Sequence, residues 1–249
     1  MSVNNILSKL KEINDLNLVP VYVPSAGKSI SFKPISVKQQ KDLIKSGLDG
    51  TLSGITISNT INQIILDNSV ENHSFVVTDK YPIIIALRRQ SFGSEVIIKQ
   101  EDKQIKFDLD KIVSKKLVYS SSDEHIIELT GTSLKAHLTL VSLEDDIKIN
   151  NIQLDKTRKN KDEELSETVG SLFIYEIVKF ISKIEIDEES VVEMSKIPIK
   201  DRLTIVENLP ATLNNIILEY IQQFRKEETE YITVDGEILP IDARLFSKE

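Results

Sequence analysis

The spacing of apolar residues changes repeatedly along this chain, and this alternation constrains the fold more than any other feature. From Val3 to Leu16 the apolar side chains lie three or four positions apart, which places them on one face of a helix that ends before Pro20. Val19–Val23 and Ser29–Phe32 then alternate as short strands do, and Pro24 and Gly27 between them favour a turn. A chain that switches between these two periods is typical of an α+β fold.

The same two patterns continue to the middle of the chain. Helical spacing recurs in Val37–Lys45, around Ile57–Ile65, and after a cap at Thr78 or Asp79 as far as Gly93. Strand alternation follows, in the order Val96–Lys99, Gln104–Asp108, Leu117–Tyr119, His125–Leu129 and Leu134–Ser142. We expect these strands to form hairpins.

The C-terminal half is predicted to be mainly helical. Residues 144–167 are densely charged and are interpreted as a linker or exposed loop. Helices are expected at Leu165–Ile184, Ser190–Met194, Pro198–Glu207 and Leu209–Glu228, followed by a hairpin at Asp235-Gly236. The predicted division is therefore residues 1–150, an α+β region with N-terminal helices and β-hairpins, and residues 151–249, a mainly helical region closed by a β-hairpin and tail.

Composition excludes several classes of protein. The chain has no cysteine, which removes disulfides, thiol catalysis, cysteine-ligated zinc and iron–sulfur clusters. Residues 125–249 carry a net charge of −10 against +2 for residues 1–124, so nucleic-acid binding is not expected. The longest apolar run, Tyr81–Leu87, is too short to span a membrane, and the N-terminus lacks a secretory signal. A cytoplasmic protein without a membrane span is therefore expected.

Gly27-Lys28-Ser29 resembles the end of a phosphate-binding loop. The complete motif requires a glycine five residues before Gly27, where this chain has Tyr22, and a helix afterwards. The residues after Ser29 alternate as a strand does. A hairpin turn is the favoured interpretation, and no cofactor is expected.

Two other groups of residues, the histidines and the acidic runs, give only weak indications of a metal site or a catalytic site. The histidines, His73, His125 and His137, lack the spacing of metal ligands. The acidic runs Glu144–Asp146, Asp162–Glu164 and Asp187–Glu189 lie in charged segments, where solvated helix caps are the favoured interpretation. We expect no metal and no catalytic residue, although an enzyme that uses carboxylates or His125 and His137 through tertiary contacts stays open as an alternative.

The opening Leu18–Gln40 resembles the start of the T-even-type phage baseplate hub family. Its members have a proline-led strand, a polar turn, a strand ending in Phe-basic-Pro (Phe32-Lys33-Pro34 here), and a polar helix. Asp79–Gly93 resembles the family's helix that ends in a basic residue, and Ile238–Phe246 resembles its C-terminal ending. The middle of the chain fits the family less well.

The resemblance implies a non-enzymatic hub component or hub-assembly factor, which binds hub or tape-measure proteins during assembly of a contractile tail. Its expected locations are the host cytoplasm during assembly and the tail baseplate of the virion. A general virion-assembly chaperone that is not retained in the particle is the alternative. Neither the partner nor the oligomeric state follows from the sequence.

Candidate contact residues lie in the first hairpin, in the basic helix end, and in the terminal hairpin and tail. Four of them have a structural alternative: the two phenylalanines are equally suited to the core, and the two arginines at a helix end are favoured by its dipole. The predicted protein-binding residues are Tyr22, Phe32, Arg88, Arg89, Tyr231, Ile241 and Phe246.

Overall fold

The computed structural model describes residues 3–100, 103–115, 117, 125–159, 173–187 and 189–247. The chain divides into two compact units. The first unit combines Met1–Val118 with Glu228–Glu249, and the second is Tyr119–Glu227. The boundary expected at residue 150 does not coincide with this division, because the end of the chain belongs to the same unit as its beginning.

The first unit contains five helices and three hairpins among its described residues. Its helices are α1 (Val3–Leu16), α2 (Val37–Ser46), α3 (Ser53–Asn68), α4 (Lys80–Phe92) and α5 (Leu109–Val113), and it includes the end of α9 (Ala211–Ile232). Its antiparallel pairs are β1 (Val19–Val23) with β2 (Lys28–Phe32), β3 (Glu95–Gln100) with β4 (Lys103–Asp108), and β9 (Thr233–Val234) with β10 (Glu237–Ile238). All three hairpins were expected from the sequence.

Helix α4 lies at the centre of this unit. Its residues Pro82–Arg88 are all buried, as expected for a helix that is covered on every side. The first hairpin packs against it, and Phe32 of β2 lies 5.5 Å from Phe75, measured between ring centroids. Helix α1 differs, since the apolar side chains described in it are exposed to solvent: Val3, Ile6, Leu10, Ile13 and Leu16.

The C-terminal turn (Ala243–Phe246) is part of the first unit's core. Leu245 and Phe246 are buried, and Gln40 Nε2 of α2 donates a hydrogen bond to the carbonyl oxygen of Phe246 at 2.8 Å. Gly47, which follows α2, approaches this turn so closely that a Cβ placed on it would overlap that of Ala243. The turn therefore closes the packing between α2 and α4.

The second unit is built around an antiparallel four-stranded sheet. Its strands are β5 (His125–Glu128), β6 (Lys135–Leu138), β7 (Ile181–Glu185) and β8 (Val191–Glu193), paired in that order. The helices are α6 (Leu143–Lys159), α7 (residues 173–178), α8 (Ile199–Glu207) and the greater part of α9. The predictions of α8 and α9 are confirmed, and the chain as a whole is α+β with a mainly helical C-terminal part.

The linker expected at residues 144–167 is wrong for its first sixteen residues, which belong to α6. Glu144–Asp146 occupy its first turn and Lys156–Lys159 contribute the basic last turn, so the charges match the helix dipole. Ile149 and Leu154 are buried and attach the helix to the unit. Residues 160–167 lie outside the described residues.

The helix predicted at Leu165–Ile184 is also only partly correct. Residues 165–172 lie outside the described part of the chain, 173–178 are helical, and Ile181–Glu185 forms β7. The cause is a bulge at Ser182, since Leu138 pairs with Ile181 while the neighbouring His137 pairs with Lys183. One extra residue brings both Ile181 and Ile184 to the buried side, which imitates the spacing of a helix.

Two further expectations need correction. Val191–Glu193 is strand β8, where a short helix was expected at Ser190–Met194. Asp187 lies in the turn before β8, where its side chain accepts hydrogen bonds from the backbone amides of Glu189 and Ser190, so this acidic run does not begin a helix. Among the described residues, no helix is long and apolar enough to cross a membrane.

Candidate functional site

A pocket of about 420 Å³ opens on the first unit. Strand β1, helix α4, the end of α5 with the residues that follow it, and the end of α9 form its walls. The lining residues are Pro20, Val21, Tyr22, Pro82, Ala86, Val113, Ser114, Lys115, Leu117 and Tyr231. Its size falls within the range of pockets that hold ligands of moderate size.

The local sequence explains why these side chains meet. In β1 the valines at 19, 21 and 23 are buried, so the alternation of a strand turns Pro20 and Tyr22 to the other face. In α4, Pro82 and Ala86 lie four residues apart and therefore share one face of the helix. The short side chain of Ala86 leaves space beside them.

Lys115 holds the end of α9 at the pocket. Its Nζ donates to the carbonyl oxygens of Thr233 at 2.6 Å and Tyr231 at 3.1 Å. The last carbonyls of a helix have no partner within the helix and carry its negative dipole end, so an ammonium group is favoured there. The charge of Lys115 is thus already engaged by the protein's own backbone.

Tyr231 is the most deeply buried polar side chain of the pocket. It is 6% exposed, and burial raises the pKa of its phenol to about 12. The group is therefore neutral at physiological pH and keeps its proton for donation.

The described lining of this pocket is mostly apolar. It combines prolines, aliphatic side chains, two tyrosines and one serine with one engaged lysine, and these described residues include no histidine or carboxylate. Apolar walls with a few polar groups are typical of sites that recognise a ligand or a partner.

The structure brings two of the predicted contact residues together, Tyr22 and Tyr231. Phe32, Arg88 and Phe246 lie in the core of the first unit instead. Arg89 is exposed and forms an ion pair with Asp110, and Ile241 is partly exposed. The walls from α4 and α5 were missed, because nothing in the local pattern of those helices indicates which residues meet β1.

Arg88 serves the fold through its hydrogen bonds. Its Nε donates to the carbonyl oxygen of Leu245 at 2.6 Å and its Nη1 to that of Gly93 at 2.5 Å, while the guanidinium lies 5.5 Å from the centroid of Phe92. Burial lowers the pKa of Arg88 from its ordinary value. This side chain joins α4 to the C-terminal turn.

The turn that resembles a phosphate loop contains a polar cluster. Ser25 Oγ donates to Asp79 Oδ2 at 2.6 Å and lies 2.9 Å from His73 Nε2, and burial raises the pKa of Asp79. The carboxylate of Asp79 also accepts hydrogen bonds from the backbone amides of Ser25 and Val76, both at 2.9 Å. This cluster therefore anchors the turn.

His125 and His137 do not converge on one site. His137 pairs across the sheet with Ile126, so His125, the next residue of β5, faces the opposite side. His125 stacks on Tyr220 at 4.8 Å between ring centroids, whereas His137 Nε2 lies 3.1 Å from a carboxylate oxygen of Glu185. In the described part of the chain, no group of three or more histidines and carboxylates is placed to hold a metal ion.

Comparison with protein-family models identifies a family. A family model described as "T4 bacteriophage base plate protein" matches residues 17–235. All lining residues of the pocket fall within that range, whereas α1 lies before it. No curated protein and no solved structure matches the chain in the corresponding comparisons.

Proposed function

Because this chain belongs to the T4 bacteriophage base plate protein family, we propose that it is a non-enzymatic hub component or hub-assembly factor. In this role it binds other hub proteins or the tape-measure protein while the contractile tail is assembled. The observation that carries the proposal is the family match, which spans most of both compact units. The resemblance of Leu18–Gln40, Asp79–Gly93 and Ile238–Phe246 to hub-family members supports the hub in particular.

The physical character of the chain supports a binding role. The pocket beside β1 presents apolar surface and neutral hydrogen-bonding groups. Burial of such surface contributes about 25 cal/mol per Å² before the costs of association, so apolar contact would dominate the affinity. The sites of action that follow are the host cytoplasm during assembly and the baseplate of the finished tail.

Co-expression with the hub and tape-measure proteins of the same phage tests the proposal. A tag on this chain should retain at least one of these proteins, and deletion of the gene should leave phage lysates without complete baseplates. Normal hub assembly without the gene, together with no association, would overturn the proposal. Mass spectrometry of purified particles then distinguishes a hub component from a hub-assembly factor, since a component stays in the virion and an assembly factor does not.

A further inference from the structure

We propose that strand β4 receives an extended segment of another baseplate protein as a third strand of its sheet, with an acidic residue of that segment opposite Lys106. The inference rests on the proposed function and names the chemistry of the partner at one edge of the first unit. The residues of β4 do not line the pocket beside β1, so this contact is separate from it.

The main chain of β4 presents hydrogen-bonding groups on the side away from β3. Leu109 N donates to the carbonyl oxygen of Ser94 at 2.8 Å, so these two residues form a bonded pair of the hairpin. Bonded and non-bonded pairs alternate along an antiparallel ladder, which turns the N–H and C=O groups of Gln104 and Lys106 outward. Within the described part of the chain, these outward groups form no hydrogen bond. An extended segment supplies matching groups at the same spacing.

The other edge of this hairpin is already in contact with the protein. Arg88 Nη2 donates to the carbonyl oxygen of Glu95 at 3.3 Å, and β3 contacts the C-terminal turn. Strand β4 lacks two features that often protect an edge strand, since its six residues include no proline and its register with β3 has no bulge. An added strand therefore pairs with β4.

The side chains of β4 indicate the composition of the segment. Phe107 is buried and Ile105 is half-buried on the inner face, so an apolar residue opposite Ile105 would extend the core. Lys103 and Lys106 are exposed, and the ion pair of Lys106 with Glu95 is exposed as well. Because an exposed pair is weak, Lys106 can bind a further carboxylate. A segment with an acidic residue next to an apolar one therefore fits this edge.

The charge of Lys106 also argues against a second copy of this chain as the occupant. In the two antiparallel registers that cover β4, the Lys106 of the copy would lie directly or diagonally opposite this one. Like charges directly opposite destabilise a strand pair, and long side chains also reach each other diagonally. The same lysine therefore opposes self-pairing and attracts an acidic partner.

Hydrogen–deuterium exchange at single residues tests the pairing. It is followed by mass spectrometry in the free chain and in its complex with the hub or tape-measure protein of the same phage. The amides of Gln104 and Lys106 should exchange rapidly in the free chain and at least about tenfold more slowly in the complex. Those of Ile105 and Phe107, which bond to β3, should be slow in both. This alternation distinguishes an added strand from contact with side chains alone.

Two variants test the same edge through affinity, measured by surface plasmon resonance. Lys106→Glu should weaken binding about fivefold or more, because attraction becomes repulsion. Lys148→Glu is the matched control and should leave affinity unchanged, since Lys148 is similarly exposed and also pairs with a carboxylate. Gln104→Pro removes an outward amide but none of the bonds to β3, and should weaken binding about tenfold. Circular dichroism and urea unfolding of each variant confirm that the chain is folded.

The outcomes separate this inference from the proposed function. If a baseplate protein binds but the amides of Gln104 and Lys106 exchange as rapidly as in the free chain, the inference fails while the function stands. Equal affinity of wild type and Lys106→Glu would also overturn it. Slow exchange of these amides in a dimer of this chain alone, seen by sedimentation, would identify a second copy as the occupant and overturn it too. If no baseplate protein binds the wild type, the proposed function fails and the inference fails with it.

Discussion

The guanidinium of Arg88 donates a hydrogen bond from Nε to the carbonyl oxygen of Leu245, 157 positions away in the sequence. This contact links the central helix of the first unit to the last turn of the chain. Leu245 and Phe246 are both buried, so the C-terminal turn contributes to the same core as the N-terminal helices and hairpins. Stability of the first unit should therefore depend on residues near both termini.

Replacement of Arg88 by methionine should lower the free energy of unfolding by about 2–4 kcal/mol, since buried carbonyl groups of Leu245 and Gly93 lose their charged donor. Urea unfolding followed by circular dichroism measures the change. Arg89→Met is the control, because its ion pair with Asp110 is exposed and should contribute less than about 1 kcal/mol. Equal losses in the two variants would contradict the role given to Arg88.

Replacement of Gly47 by alanine tests the close approach of α2 to the C-terminal turn. The backbone of Gly47 is right-handed helical, so alanine causes no strain there, but its Cβ would overlap that of Ala243. Overpacking of this kind should cost about 1–3 kcal/mol. Ala243→Gly in the same chain should recover most of the loss, as measured by thermal unfolding.

Gly54→Ala is the matched control for this pair. Gly54 lies in α3, and nothing is near the position of its Cβ, so alanine should be neutral or stabilise the helix by up to about 1 kcal/mol. Equal destabilisation by Gly54→Ala and Gly47→Ala would contradict the steric explanation, because only the Cβ at position 47 overlaps another atom.

Lys115→Met tests whether the lysine stabilises the end of α9. The variant keeps the aliphatic part of the side chain but removes the donor to Tyr231 and Thr233, and the expected loss is about 0.5–1 kcal/mol at low salt. Added salt should reduce the difference from wild type, because the ammonium is exposed and screened. A difference that grows with salt would contradict a dipole interaction.

The sequence was most informative where turn chemistry is explicit. Asp235 and Gly236 both have positive φ, 51° and 87°, as the predicted two-residue hairpin requires. The spacing of apolar residues gave a wrong prediction at strand β7, which was expected to be helical. The bulge at Ser182 places the buried residues of this strand three positions apart, as in a helix. A local pattern does not reveal such a bulge, because the extra residue is defined by the partner strand.

The candidate site shows the same limit. Tyr22 and Tyr231 were selected as contact residues for their places in two hairpin regions, and the fold brings both to one pocket. Arg88 was selected with Arg89 as an adjacent basic pair, yet consecutive positions of a helix face different directions. Arg88 turns to the core, where the carbonyls of Leu245 and Gly93 accept its hydrogen bonds, and Arg89 turns to solvent. The local pattern does not reveal these acceptors.

A buried ion cluster makes the last prediction, on the pH dependence of stability. Lys179 Nζ lies 2.8 Å from Asp146 and 3.2 Å from Glu176, and only 9% of its side chain is exposed. Burial alone would lower the pKa of Lys179, but the two carboxylates outweigh it and the pKa is raised. Burial alone would raise the pKa of Glu176, yet the charges of Lys179 and Arg225 lower it.

The directions of these pKa shifts determine how wild-type stability depends on pH. The raised pKa of Lys179 contributes stability that is fully present below the pKa of an unfolded lysine and is lost at alkaline pH. The lowered pKa of Glu176 contributes stability that is present above the pKa of an unfolded glutamate, about 4.3, and is lost in acid. Between these limits the cluster is fully charged, so wild-type stability should change little between about pH 7 and pH 5 on its account.

Lys179→Met leaves Asp146 as a buried carboxylate without its cation, and should cost about 3–5 kcal/mol at pH 7. A buried carboxyl that has lost its cation has a higher pKa than before, so it takes up a proton more readily as pH falls, and the loss should be smaller at pH 5. Urea unfolding at both values measures this. Lys148→Met, which removes an exposed partner of Asp145, should change stability by less than about 0.5 kcal/mol at either pH. If Lys179→Met loses the same amount at pH 5 as at pH 7, the destabilisation arises from packing and the charge of Asp146 is not its cause.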